Sequence, residues 1–198
     1  DAVNELKEEN FKELFEEERK ETSNYVKETV LETDLALLIP DSYVSDIPER
    51  IALYRKLDSI DSESNLKAFK VMLEDRFGPI LKETEELLQT IRLRWISRIL
   101  GMEKVILKSG VLIAAFVSDE SSPYYQGAMF TRILGYLKEN NKQTSMYQRN
   151  GALRLKVTGV QSVKHALGIF VDMAGMTASK AAELTSGRAA KTIKSNAQ

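Results

Sequence analysis

The sequence predicts an α+β domain: an antiparallel or mixed sheet built from one N-terminal strand and two hairpins, with about five helices packed mainly on one face. Three observations predict it. Apolar residues alternate from Leu31 to Ile39 and then recur at helical spacing from Ile47 to Ile99. Two later stretches, 103–117 and 144–157, return to β-rich runs around short turns. Each of these is followed by one helical segment, so the order is strand, three helices, hairpin, helix, hairpin, helix.

The chain opens with a stretch, residues 3–20, that reads as a helix. Val3, Leu6, Phe11, Leu14 and Phe15 fall roughly on one side, and Glu8/Lys12 and Glu16/Lys20 make i,i+4 pairs of favourable polarity. Its apolar stripe is thin, which suits a linker helix or the tail of a preceding domain. From Leu31, the residues Leu31, Thr33, Leu35, Leu37 and Ile39 point one way and Glu32 and Asp34 the other, as in a strand with one buried face. Pro40-Asp41-Ser42 ends it.

Asp46-Ile47-Pro48-Glu49 then begins a helix, with Asp46 as N-cap, Pro48 tolerated in the first turn and Glu49 reaching back as the acid of a capping box. Ile47, Ile51, Tyr54 and Leu57 are expected to bury, leaving Glu49, Arg50, Arg55 and Lys56 outside. A second helix opens at Ser62 and turns Leu66, Phe69, Leu73 and Phe77 inward. Gly78 stops it, and Pro79 suits the start of a third and longest helix, so the two fold back on each other. The third helix carries Leu88, Ile91, Trp95 and Ile99 as its stripe, with acids in its first turns and Arg92, Arg94 and Arg98 in its last.

Val105-Ile106-Leu107 and the run Val111 to Val117 form the first hairpin; the second run is apolar on both faces and is expected to be central and covered. Pro123 begins the next helix, with Met129, Ile133 and Leu137 on one face. In the second hairpin, Asn150-Gly151 lies between alternating runs, a dependable short hairpin cue. A last helix, from about Val160 to Met173, buries Val163, Leu167, Phe170 and Ala174. The division that follows is residues 1–30 as a linker helix, 31–177 as the domain, and 178–198 as a basic Ala/Ser/Lys tail with one frayed helical stretch near Ala178 to Leu184.

At 198 residues, with 43% hydrophobic and 29% charged side chains, the composition is that of a globular domain able to bury a core. No apolar run approaches a membrane span, and with no cysteine there is neither a disulfide framework nor a thiolate metal site. A cytoplasmic protein is expected, and a first residue other than Met fits a piece of a longer one. The net charge of −1 conceals a gradient: residues 1–31 carry 5 basic and 10 acidic side chains, whereas residues 102–177 carry 9 and 5. That slope is too shallow for the basic footprint of a dedicated nucleic-acid binder.

Catalytic chemistry finds little to work with. His165 is the only histidine, which leaves His-based metal sites and Ser-His-Asp triads without partners, and Asp172 lies two turns away on the same helix. Gly187 to Thr192 lacks the glycine spacing and preceding strand of a phosphate-binding loop. Arg92, Arg94 and Arg98 could contact phosphate, in which case the domain would be a nucleic-acid-binding accessory. The residues themselves identify no enzyme and no cofactor.

Two segments carry a family resemblance: TDLALLIPDSYVSDIPERIALYRKL at residues 33–57 and LEDRFGP at residues 73–79. Together they resemble the C-terminal domain of bacterial transcription-repair coupling factors. The match is densest over residues 32–101, weakens to about residue 174, and DAVNELK at residues 1–7 resembles the end of the helicase motor that precedes this domain in the family. The resemblance implies a parent that is an ATP- and Mg-dependent translocase on double-stranded DNA, coupling stalled RNA polymerase to nucleotide excision repair. It implies a non-catalytic, autoinhibitory role for this piece, docking on an N-terminal module similar to the excinuclease B subunit and masking the surface that binds the excinuclease A subunit. The partner-binding residues it points to are Asp75 and Arg76, with Glu74 beside them; Met72 stands where relatives often have a glutamate.

Overall fold

The computed structural model describes residues 25–175. The expected linker helix at 3–20 and the tail from 178 lie outside the described residues. Within them the elements are β1 (Val30–Thr33), α1 (Ile47–Asp58), α2 (Glu63–Phe77), α3 (Lys82–Ile99), β2 (Met102–Lys108), β3 (Val111–Phe116), a 3₁₀ turn (Pro123–Gln126), α4 (Ala128–Glu139), β4 (Thr144–Arg149), β5 (Ala152–Thr158) and α5 (Val163–Met173). The strands form one mixed sheet in the order β1-β2-β3-β5-β4, in which β1 runs parallel to β2 and the other neighbours are antiparallel. This is the α+β fold the sequence predicts.

The first strand is shorter than its alternation suggests. Burial still alternates to Ile39, but pairing ends at Thr33, because its partner β2 ends at Lys108 and turns through Ser109 and Gly110. Asp34 closes that end of the sheet by accepting the Ser109 amide at 2.8 Å. Strand β3 is central, as expected, yet it is covered on one face only: Leu112, Ala114 and Phe116 are buried, and Val111, Ile113 and Ala115 are half-exposed. Pro123 starts a 3₁₀ turn rather than the helix itself, and α4 begins after Gly127. Asn150 and Gly151 both have positive φ, 53° and 74°, as a two-residue type I′ hairpin requires.

The covered face of the sheet packs on α3 and α5 around Val105, Leu107, Leu112, Phe116, Leu155 and Phe170. Helix α3 is the hub. Its expected stripe of Leu88, Ile91, Trp95 and Ile99 is buried, and so are Thr84, Leu93, Ile96 and Ser97, so it is enclosed on nearly all sides. That enclosure takes Arg92 with it. At 6% exposure, its Nε and Nη2 reach the two Glu63 carboxylate oxygens at 2.9 and 2.5 Å, and its Nη1 donates to Gln89 Oε1 at 3.0 Å.

The same chain of polar contacts continues along the α2–α3 seam: Gln89 Nε2 donates to Glu85 Oε1 at 2.8 Å, and Lys70 Nζ lies 2.9 Å from Glu85 Oε2. Burial pushes the Glu85 carboxyl up, but Lys70, Gln89 and Arg92 together hold it below the ordinary carboxylate range. A depressed folded-state value contributes stability above the unfolded value, and that contribution is lost as pH falls through the folded one. Glu85→Gln is therefore expected to lower the melting temperature at neutral pH, by an amount corresponding to under about 1 kcal/mol for a pair this exposed. The deficit should close as pH drops below the carboxylate range, and melting curves collected across pH check it.

Candidate docking site

The charged cluster singled out in the sequence lies at the C-terminal end of α2, where the chain leaves the helix. Gly78 ends α2 with φ 86° and ψ −167°, a region that only glycine visits freely, and its amide still bonds the Glu74 carbonyl at 2.9 Å. Helix α3 begins at Lys82, three residues later than Pro79 suggests, and its N-cap position, Leu81, supplies no side-chain cap.

Tyr43 braces this turn. Its hydroxyl donates to the Gly78 carbonyl at 2.8 Å and lies 3.3 Å from that of Leu73, and its ring packs 5.9 Å from Phe77. Burial, then the Glu74 charge, raises the hydroxyl above the usual tyrosine range, so it stays protonated and donating. The two family segments quoted above are thus one physical unit, since the tyrosine of the first holds the turn of the second. Neither spacing nor periodicity reveals that contact, because the partners are 35 positions apart.

The N-terminus of α1 meets the cluster from the other side. Asp46 caps α1 as expected, accepting the Glu49 amide at 2.7 Å. The Glu49 side chain does not complete a capping box; it forms an ion pair with Arg76, whose guanidinium also lies 4.9 Å over the Phe77 ring. A charge-assisted bond to Arg76 outcompetes a neutral one to its own helix end. Glu74, Asp75 and Arg76 are all exposed, and the side chains of Glu74 and Asp75 have no partner among the described residues. Met72, one turn before, is half-buried and packs on the core.

Arg92, Arg94 and Arg98 are not brought together. Arg92 is buried against Glu63. Arg94 contacts Asp58 of α1 at 3.4 Å, and Arg98 reaches the Val26 carbonyl at 3.5 Å. His165 is an exposed residue in the first turn of α5, its amide capped by Ser162. Among the described residues no cluster of His, Cys, Asp and Glu could hold a metal ion, and no helix is long and apolar enough to cross a membrane.

The fold and this cluster define a class: an α+β domain with a one-sided mixed sheet and an exposed charged helix end beside a tyrosine-braced turn. A solved structure of the "C-terminal domain of transcription-repair coupling factor" shares the fold, with a TM-score of 0.60 over 77% of this chain and 97% of that one at 19% identity. Residues 33–126 match the family model of the TRCF domain. The transcription-repair-coupling factor of Escherichia coli (strain K12) is 29% identical over 131 residues, 66% of this chain and 10% of the relative. That of Rickettsia prowazekii is 28% identical over 122 residues, 62% and 10%, and that of Haemophilus influenzae 32% identical over 75 residues, 38% and 6%. Over residues 33–126 the chain is thus similar to the TRCF domain, and these relatives are transcription-repair coupling factors. The matched segments span about a tenth or less of the length of these relatives.

Proposed function

We propose that this chain is a non-catalytic regulatory domain of a transcription-repair coupling factor, acting in the cytoplasm by docking within its own parent protein. It engages the excinuclease-B-like N-terminal module through the end of α2 and hides the surface there that binds the excinuclease A subunit until RNA polymerase is engaged. ATP and Mg serve the motor of the parent, through which the domain is also coupled to double-stranded DNA and to polymerase; the domain itself uses no cofactor.

The observation that supports this reading is the division of labour at the turn. Tyr43, Phe77 and Gly78 hold it in shape, while the Glu74 and Asp75 side chains project from a fixed backbone without a partner among the described residues and Arg76 presents an exposed guanidinium. Charges on a rigid element suit an interface that forms specifically and is released by a competitor, because exposed polar contacts contribute modestly to affinity.

Carrying both Asp75→Lys and Arg76→Glu is expected to weaken binding to the N-terminal module by about tenfold or more. The excinuclease A subunit should displace the wild-type domain from that module. Titration calorimetry with the two pieces reads both effects, and an affinity unchanged by the substitutions overturns the assignment.

A further inference from the structure

Helix α1 departs from its sequence pattern in a way that points outward. Of the four residues expected to bury, only Leu57 does; Ile47, Ile51 and Tyr54 are 61%, 46% and 36% exposed, and Leu53 takes the inward position instead. The helix carries two apolar stripes. Leu53 and Leu57 face the core, while Ile47, Ile51 and Tyr54, spaced by four and three, run along a second side with Asp58 at its end.

Beside that second stripe lies an open groove of about 330 Å³ between α1 and α3, bounded by Tyr54, Leu57, Asp58, Leu87, Ile91 and Arg94. Tyr54 is held as its wall by accepting the Ile39 amide at 2.7 Å. Leu38, 40% exposed, continues the apolar surface at the near end, where its carbonyl accepts from Thr84 of α3. From Ile47 to Tyr54 the stripe runs about 10 Å at the rise of an α-helix, two turns of a partner helix.

We propose that this groove is a second docking site, which takes an acidic amphipathic helix of a protein partner. The exposed stripe of α1, beside Leu87 and Ile91 of α3, accepts a helix that presents residues at i, i+3, i+4 and i+7. The charge at the far end selects the sign of the partner. Among the described residues that line the groove, Arg55 and Arg94 are basic and Asp58 is the one acid, and Asp58 is 79% exposed and only 3.4 Å from the Arg94 guanidinium. A carboxylate on the incoming helix completes that end, and a cationic helix is repelled from it. The groove lies on the side of α1 away from Glu49 and Arg76, so both sites can be filled at once.

The test uses the full chain and a blocked synthetic peptide of about 16 residues, with leucines on one stripe and glutamates flanking it. Two control peptides carry lysine for glutamate or serine for leucine. The acidic amphipathic peptide is expected to bind, with amide shifts confined to α1, Leu38 and the Leu87–Arg94 stretch of α3. Ile51→Asp should weaken it by about tenfold or more, and Arg94→Glu should transfer preference to the lysine peptide. Because Ile51 is exposed, its substitution should leave the melting temperature unchanged, which separates lost binding from lost folding. Absence of binding at millimolar peptide, equal binding by the Ile51→Asp chain, or shifts centred on the sheet overturns the proposal. So does displacement of the peptide by a DNA duplex at low salt, which would assign the arginines to phosphate.

Discussion

Replacing Arg92 by methionine is expected to cost about 3–5 kcal/mol of folding stability, because it leaves the Glu63 carboxylate buried without a counter-charge. Glu63 is 3% exposed and takes both of its strong bonds from that one guanidinium. It is also the first residue of α2, so the pair fastens the start of α2 to the middle of α3. The sign reverses when both partners go. Glu63→Leu together with Arg92→Met removes two desolvated charges and fills similar volume, and should recover most of the loss. Urea unfolding of the two single variants and the double variant measures the coupling. If Arg92→Met alone costs under about 1 kcal/mol, water reaches the pair and the burial argument fails.

The second large effect belongs to Gly101, the residue that turns the chain from α3 into β2. Its φ of +71° alone costs an L-residue roughly 1–2 kcal/mol. A Cβ there would also sit 2.3 Å from Tyr124 Cε2. The Tyr124 ring has nowhere to go: it is 2% exposed, its hydroxyl donates to the Leu100 carbonyl, and it packs on the rings of Tyr25, Phe116, Tyr125 and Phe130. Gly101→Ala is therefore expected to lose about 3 kcal/mol or more, since overpacking of a rigid core adds to the backbone strain. Gly78→Ala serves as its control, because nothing lies within 4 Å of a Cβ at Gly78 and only the backbone cost remains. Equal urea midpoints for the two variants would show that the Tyr124 ring yields.

Element type was legible where period and punctuation agreed. Ser62 and Gly78 bound α2 as read, Asp46 caps α1, and Asn150-Gly151 joins β4 to β5. What the period did not fix was which side of a short helix faces in. On α1 both Leu53/Leu57 and Ile47/Ile51/Tyr54 obey helical spacing, and it is Leu53 and Leu57 that bury in the folded core. Arg92, offered by the sequence as a possible phosphate contact, is turned inward for a related reason: only the approach of α2 reveals that Glu63 sits opposite it. At the candidate site, Asp75 and Arg76 came from the family resemblance, whereas Tyr43 and Glu49 emerge only once contacts over 35 and 27 positions are formed.

The parallel pairing of β1 with β2 has a kinetic consequence. Strands β2, β3, β4 and β5 pair as two hairpins joined through β3 and β5, over modest separations. Strand β1 reaches β2 only after all three N-terminal helices have been looped back, with Val30 opposite Lys104 and the Thr29 hydroxyl on the Met102 carbonyl, 73 positions away. Loop closure on that scale is slow relative to hairpin formation. The four-stranded part of the sheet is thus expected to form early in folding, with β1 as a late-closing clasp that ties the start of the described chain to the finished domain.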